Sequence, residues 1–405
     1  MNFSLQRWLR IALLNLLIVA AIGVILRYKI IYPLPFVDQK HLLHGHSHFA
    51  FAGWVTQVLM IFLIAYLDKQ NDGSSFKKYR WLLYANLFTA YAMLIAFPIE
   101  GYGLYSIIFS TLSIFVSYVF AVQYWRDLNK LKLIKTSHYW FKAAIIFNAL
   151  SSLGAFALAI MMVKKMIILN WYLAAEYFYL HFQYNGWFFF GCMGLVSAKF
   201  FDDKISPKTL NRIFLFFVLA LVPAYFLSAL WMHLPLWIYI LVVIAAFAQV
   251  AGWVYMLQII KQQLSFIKQG LGKTAKWLLL FSSIALSAKL LLQLGSTIPS
   301  LSTLAFGFRP IVIGYLHLVL LGVITMFLLG YMFAAGYCQS NKIIFRAAEI
   351  FAAGIILNEV LLMLQGVMAI DYTIVPYIND CLLGAALIMF TGILVLVANL
   401  QKKLQ

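Results

Sequence analysis

The chain contains twelve apolar runs that are long enough to cross a lipid bilayer. About 20 helical residues span the roughly 30 Å of hydrocarbon, and runs of this length fall at 9–27, 45–67, 81–99, 103–124, 139–162, 171–198, 213–232, 235–259, 277–295, 310–335, 347–369 and 380–400. The composition agrees, because 64% of the 405 residues are hydrophobic and only 10% are charged, whereas a soluble domain is about half apolar and a quarter charged. The sequence therefore predicts an all-α polytopic membrane protein with twelve transmembrane helices.

Basic residues are concentrated in every second connection between these runs. Clusters of Lys and Arg follow the even-numbered runs, at 69–80, 126–135, 199–212, 261–276, 342–346 and 402–403. Cytoplasmic loops carry such an excess, so we expect a protein of the inner (plasma) membrane with both termini in the cytoplasm. These loops also explain the formal net charge of +18, and no nucleic-acid partner is expected. The run at 9–27 has no small-residue cleavage site, so we expect a retained first helix.

Three stretches of the chain resemble one another, and each begins with a histidine. His48, His181 and His317 are each followed by an apolar residue, a glycine at the fifth position and a bulky residue at the sixth. They stand 133 and 136 residues apart, and a repeat at a fixed period constrains the whole architecture. The pattern predicts three pseudo-symmetric four-helix arcs within a single membrane domain, 1–405, with units near 1–135, 136–270 and 271–405.

Histidines inside a bilayer need a partner, because an unpaired polar group in hydrocarbon is unfavourable. For a single histidine a hydrogen bond to a neighbouring helix is a sufficient explanation, whereas three at equivalent positions favour a function. Neutral imidazole is a good ligand for haem iron and for copper. The densest cluster comprises His41, His44, His46 and His48. It indicates either a partly solvated start of a helix or a site for a metal or haem.

The arrangement resembles subunit I of the haem–copper oxidase superfamily, which includes the nitric oxide reductases. The shared features are three four-helix units with histidines on helices 2, 6, 7 and 10. The string His46-Ser-His48-Phe-Ala-Phe-Ala-Gly53-Trp54-Val55 is also similar to the His-x-His and Gly-Trp-Val of C-type oxidases. The resemblance implies a haem-binding oxidoreductase that passes electrons from a quinol or a cytochrome c to a small molecule such as O2 or NO. Additional membrane subunits are further partners that it implies.

The resemblance also implies a ligand set for a low-spin haem. His48, on helix 2, and His317, on helix 10, match the two axial ligands, and His44 and His46 belong to the same histidine cluster. The haem would be haem b, since the chain has no Cys-x-x-Cys-His attachment motif. Arg309 stands eight residues before His317 and is expected to pair with a haem propionate or to reach the lipid head groups.

The resemblance also implies copper and a second haem, but the chain lacks some of the residues that bind them in the family. His181 matches the first copper ligand of the family, and His233 falls where the family has two adjacent histidines, the first of which is Met232 here. Tyr184 follows His181 by three residues instead of the family's four, and helix 10 has one histidine where the family has His-x-His. Glu359, deep in helix 11, is expected to act as a proton relay or to hydrogen-bond to another helix.

Two other functions are open on the sequence. The first is a transporter or handling protein for copper or another metal, with the cluster at 41–48 as its metal-binding site. Transporters are commonly built from repeats, but the three units here are parallel, and this function leaves His181 and His317 without a role. The second is a haem sensor or an assembly factor that binds haem without turnover.

Overall fold

The computed structural model of the chain describes residues 3–70, 73–166, 168–232 and 234–403, which contain no β-strand. Two short helices, Leu264–Gln269 and Pro299–Gly307, lie in connections. Twelve long helices, numbered α1 to α12, are Phe3–Ile31, Gln39–Gln70, Ser75–Glu100, Leu104–Asn129, Thr136–Val163, 169–201, Pro207–Ala229, Leu236–Gln262, Lys273–Gly295, Arg309–Ala334, Lys342–Ile370 and Ile378–Lys403.

Eleven helices of the described residues are long and apolar enough to cross a membrane. This confirms the prediction of an all-α, multi-pass membrane protein. The predicted run that does not reach this threshold is 171–198. It is helical throughout, but the middle of α6 carries His181, Gln183 and Asn185, which lower its hydropathy. The count of twelve spans and the three-arc arrangement stay predictions.

The bundle is organised around α2 and α6. In α2, 89% of the most apolar 18-residue window is buried, against 11% in α4. All residues of α6 from 181 to 195 are buried. A helix that is buried on all sides belongs to the interior, whereas one with a narrow buried stripe faces the surroundings. Polar residues in the middle of α2 and α6, such as Gln57 and Gln183, are therefore inside the protein, and α4 faces the lipid.

A π-helical segment follows each of the three repeat histidines. The segments are Ala50–Thr56, Phe182–Phe188 and Leu318–Thr325. In a π-helix the backbone bond closes five residues back rather than four, and such segments are rare and frequent at functional sites. The three stretches that share a sequence pattern therefore share a backbone feature as well.

Side chains of neighbouring helices hydrogen-bond to carbonyl groups of these π-helical segments. The donors come from α1, α3 and α9, and the bonds are Asn15 Nδ2 to the Gly53 oxygen (2.6 Å), Asn86 Nδ2 to the Ala52 oxygen (3.0 Å) and Ser282 Oγ to the Val323 oxygen (2.7 Å). Each bond satisfies a buried acceptor, which would otherwise carry a desolvation cost of about 1–3 kcal/mol. The polar side chains therefore hold the surrounding helices against the π-helical segments.

Two tryptophan–threonine hydrogen bonds connect the three π-helical segments. Trp54 Nε1 donates to Thr325 Oγ1 at 3.0 Å, and Trp187 Nε1 donates to Thr56 Oγ1 at 3.1 Å. Each tryptophan is the sixth residue after its repeat histidine, and each threonine is the eighth. Val323 takes the tryptophan position in the third segment and has no N–H to donate from its side chain. The bonds hold α2 against both α6 and α10.

Candidate functional site

The imidazole of His46 faces α1. Its Cε1 atom lies 3.6 Å from the position that a Cβ atom would take at Gly23, and the ring contacts the backbone of Val19. It is also within electrostatic range of His317. Its Nδ1 atom is buried and has no hydrogen-bond partner among the described residues. His46 thus presents a free ring nitrogen to the interior of the bundle.

The imidazole of His317 is fixed in one tautomer by its own helix. Its Nδ1 atom lies 2.8 Å from the carbonyl oxygen of Ile313, and a carbonyl only accepts, so Nδ1 carries the proton. The lone pair is therefore on Nε2, which has no partner among the described residues. A histidine held in this way by a backbone carbonyl is oriented as metal-ligating histidines usually are.

Two charged side chains lie beside His317. Arg27, near the C-terminal end of α1, is within electrostatic range of both His317 and Glu359. The Glu359 carboxylate accepts a hydrogen bond from Asn358 Nδ2 at 3.1 Å, and its Oε2 atom lies 3.5 Å from the position of a Cβ atom at Gly314. Glu359 was expected from the sequence to act as a proton relay or to hydrogen-bond to another helix, whereas nothing in the sequence singles out Arg27.

His48 faces the opposite side of α2. Its ring stacks on Phe97, with the centroids 4.3 Å apart and the planes at 15°. Its Nε2 atom lies 3.3 Å from the hydroxyl of Tyr102. His44, one turn earlier, meets the same tyrosine ring edge-on at 4.6 Å, and its Nε2 atom is buried without a partner. His44 and His48 therefore belong to a second polar group, with Tyr102.

The histidine of α2 on the side of His317 thus differs from the predicted one. The sequence pairs His48 with His317 because both start a repeat stretch, but in the structure His46 is the residue within electrostatic range of His317, and His48 packs on Phe97. Successive helical residues are rotated by about 100°, so side chains two apart point to nearly opposite sides. Only one of His46 and His48 can face α10, and the contact of α1 with α2 selects His46.

The four-histidine cluster is spread over several directions. His41 lies against Gly101, whose added Cβ atom would meet the His41 ring at 2.5 Å. The backbone N–H of His41 donates to the Asp38 carboxylate at 2.8 Å, which caps α2 and lowers the pKa of Asp38. No group of three or more His, Cys, Asp or Glu side chains in the described ranges is placed to hold a metal ion.

Both ring nitrogens of His181 are engaged within the protein. Nε2 lies 2.9 Å from the carbonyl oxygen of Leu221, and Nδ1 lies 3.1 Å from Asn185 Nδ2. Leu221 is close to the point where α7 changes from α-helix to 3₁₀-helix at Tyr225, and carbonyls at the end of an α-helix lack intrahelical partners. His181 therefore donates a hydrogen bond to a carbonyl group near the end of a helix. In this arrangement it has no free lone pair to bind copper.

The remaining predicted site residues lie apart from His46 and His317. Tyr184 is buried and hydrogen-bonds to Ser228. Arg309 begins α10, is exposed, and forms no ion pair with a described residue. His233 lies outside the described residues. Of the predicted set, His46 is within electrostatic range of His317, and Glu359 lies beside Gly314, one turn before His317. His44 and His48 lie on the other face of α2.

A cavity of about 210 Å³, partly open to the surface, lies beside His44 and His48 between helices α2 to α6. It exceeds the roughly 30 Å³ share of a water molecule several-fold. The carboxylate of Glu176 lines it, is exposed, and forms no hydrogen bond or ion pair with a described residue. Aromatic and hydroxyl side chains form half of the remaining wall, including Phe51, Tyr102, Ser110, Ser117, Ser151, Phe156 and Tyr179.

Comparison with known proteins identifies no relative, so the proposed function is based on the geometry of the site. No family model matches the chain, and no curated protein matches it.

Proposed function

We propose that the protein is a haem-binding integral membrane oxidoreductase of the haem–copper oxidase subunit I type, with twelve spans in three four-helix units. The observation that carries the proposal is the pair His46 and His317. Each imidazole keeps one ring nitrogen free, and the two half-buried side chains come from different helices, α2 and α10. Two facing histidines are the usual axial ligands of a low-spin haem.

The side chains around the pair fit haem b. His46 and His317 would hold the iron, and the Nδ1–H bond of His317 to its own helix keeps the ligating nitrogen aimed into the space between the helices. Arg27 would pair with a propionate, because guanidinium recognises carboxylate, and Glu359 balances its charge on the side of α11. When bound, the haem supplies a one-electron redox centre. The side chains would bind it and orient it.

The proposed electron acceptor is a small molecule such as O2 or NO. Because His181 has both nitrogens engaged, the chain offers a poorer copper site than the family has. We therefore expect little or no bound copper and O2 reduction that is much slower than that of a complete oxidase. Activity of that size is measured with an oxygen electrode on the purified protein.

We propose that the electron donor is a quinol, bound in the cavity beside His48. Quinol oxidation releases two electrons and two protons, and the imidazole of His48 and the carboxylate of Glu176 are two proton acceptors that line one cavity. Phe51 and Phe156 offer apolar wall for the ring, and α4 faces the lipid, where quinols are dissolved. His48 is only two residues from His46, so the donor would lie across α2 from the haem.

Purification and a pyridine haemochrome assay test the haem. We expect haem b, and a colourless, iron-free preparation from haem-replete cells would contradict the proposal. We expect His46→Ala and His317→Ala to abolish the low-spin spectrum, since each removes an axial ligand. His138→Ala is the control, because His138 is a buried histidine at the start of α5 that bonds to the Tyr66 hydroxyl at 2.7 Å. A normal spectrum in both ligand variants would refute the assignment.

The donor site is tested separately from the haem. Glu176→Gln and His48→Ala should slow reduction of the haem by a quinol at least tenfold, while reduction by dithionite and the reduced spectrum stay unchanged. Glu100→Gln is the control, because Glu100 is occupied by bonds from Ser106 at 2.6 and 3.1 Å. An unchanged quinol rate in both variants would exclude this cavity as the donor site.

Metal handling by the cluster at 41–48 is the weaker alternative, since these histidines face different neighbours. A sensor or assembly role without turnover would keep the haem and lack quinol-dependent reduction.

A further inference from the structure

One lysine is buried inside the bundle without a counter-charge. Lys289, in the outer half of α9, is 5% exposed. It forms no hydrogen bond or ion pair with a described residue, and no described carboxylate is within its electrostatic range. Intramembrane lysines are rare and usually paired, because an isolated charge in a low-dielectric interior is strongly unfavourable.

Two buried glutamines, one in α8 and one in α9, each have an unsatisfied side-chain oxygen. Gln249, in α8, is 4% exposed, and Gln293, in α9, is 7% exposed. The side-chain oxygen of each is buried and has no hydrogen-bond partner. Buried polar side chains are nearly always hydrogen-bonded. Three unsatisfied polar side chains in one part of the bundle therefore indicate a ligand-binding site.

Hydrogen bonds between α8 and α9 place these side chains at one level. Trp253 Nε1 donates to Ser287 Oγ at 2.8 Å, and the Tyr239 hydroxyl donates to the Thr297 carbonyl at 2.7 Å. The two helices are antiparallel neighbours between these bonds. Gln249 lies between Tyr239 and Trp253 on α8. Lys289 and Gln293 lie between Ser287 and Thr297 on α9. Gln293 follows Lys289 by one turn and shares its face.

The third wall is α6. His181 is within electrostatic range of Lys289, but its two nitrogens are taken by Leu221 and Asn185, so it cannot accept a proton or a hydrogen bond from the lysine. The group thus holds an ammonium donor and two amides and has no acid. A glutamine amide presents either its oxygen or its NH₂ to a ligand by rotation about its last bond.

A vestibule of about 870 Å³ opens above this group. Its wall includes Tyr177, Tyr239, Thr297 and Ser302. Thr297 follows Gln293 by one helical turn, so three polar residues at i, i+4 and i+8 lead along one face of α9 from the vestibule to the lysine. The vestibule is at the predicted outer side of the membrane, since it is formed by the α7–α8 and α9–α10 connections.

We propose that Lys289, Gln249 and Gln293 bind a small inorganic anion of the size of chloride or nitrite, which enters from the outer vestibule. The ammonium neutralises the charge of the anion, and the two amides donate N–H groups to it. The site is separate from the His46–His317 pair and does not depend on haem at that pair.

Anion-dependent thermal stability tests the proposal. The purified full chain in detergent is unfolded in sodium gluconate and in mixtures with sodium chloride or sodium nitrite, at constant ionic strength. A ligand that binds only the folded protein raises the unfolding temperature in a saturable way. We expect this rise for the wild type, its loss in Lys289→Met, and at least a tenfold weaker apparent affinity in Gln249→Leu and Gln293→Leu.

Two controls make the outcome decisive. Lys289→Met should fold, because an apolar residue of similar volume replaces an unpaired buried charge. Lys142→Met, which removes an intramembrane lysine stacked on Trp125 at 4.9 Å, should keep the full anion effect. The proposal is overturned if the wild type shows no saturable rise, or if Lys289→Met keeps it. A lower haem content in Lys289→Met would likewise overturn it, by assigning the lysine to a haem carboxylate.

Discussion

Direct backbone contact between helices depends on individual glycines. At Gly154 in α5, a Cβ atom would stand 2.5 Å from the carbonyl oxygen of Ala175 and 2.7 Å from the backbone nitrogen of Tyr179, both in α6. Real Cβ atoms do not approach backbone atoms so closely, so the helices could not keep this distance with any other residue. Small residues serve the same purpose at many helix interfaces in membranes. Gly154 therefore sets the spacing of α5 and α6.

We expect Gly154→Ala to destabilise the protein by about 1–3 kcal/mol, the usual cost of overpacking. Gly384→Ala is the matched control, because nothing lies within 4 Å of an added Cβ atom at that helical position of α12. The control should be neutral or stabilising by up to about 1 kcal/mol, since alanine favours helix. Thermal unfolding in detergent compares the two, and equal stability of both variants would contradict the packing argument.

The direction of each histidine could not be read from the sequence. The repeat pattern identified His48, His181 and His317, and all three do precede π-helical segments. Which imidazoles are free depends on contacts with distant parts of the chain. His181 is occupied by Leu221, 40 residues away, and His46 is selected by its packing on α1. Arg27 escaped notice for the same reason, because only the fold brings it to His317.

At the scale of helices, the two tryptophan–threonine bonds are the most specific links between the repeat stretches. Trp54, Trp187, Thr56 and Thr325 are all buried, so neither the indole N–H groups nor the hydroxyls have water as an alternative. A buried donor that loses its acceptor costs more than the net strength of the bond it made. These links thus contribute to the relative position of α2, α6 and α10.

A double-mutant cycle on Trp187 and Thr56 measures one of these links. We expect a coupling free energy of about 0.5–1.5 kcal/mol between Trp187→Phe and Thr56→Val, the range for a buried neutral hydrogen bond. Trp81→Phe, at a position that is 53% exposed, with Thr56→Val should show no coupling. Additive effects in the first pair would mean that the 3.1 Å contact does not stabilise the bundle.

At the scale of the whole molecule, the apolar runs predicted the helices well. The run at 103–124 became Leu104–Asn129, and the run at 139–162 became Thr136–Val163, because a stretch of this length and composition has no alternative structure in a bilayer. Which helices lie next to one another in the bundle was not predictable in the same way. The charge pattern of the loops gives an orientation but carries no information on which helices touch.

The predicted orientation is tested by labelling of exposed connections. Phe36, between α1 and α2, is 83% exposed, and Ile134, between α4 and α5, is 77% exposed. In a Cys381→Ser background, which removes the exposed native thiol, a membrane-impermeant maleimide applied to intact cells should label Phe36→Cys. It should label Ile134→Cys only after permeabilisation. The opposite result would place both termini outside.

The polar middle of α6 has a consequence for biosynthesis. A segment that is too polar to partition into lipid alone has to leave the translocon together with another segment that satisfies its polar groups. Gln183 donates to Asn148 at 2.8 Å and to Ser151 at 2.7 Å, and both acceptors belong to α5, which is synthesised just before. We therefore expect the two helices to enter the bilayer as a hairpin, in which α5 supplies hydrogen-bond partners to α6 as soon as α6 has been synthesised.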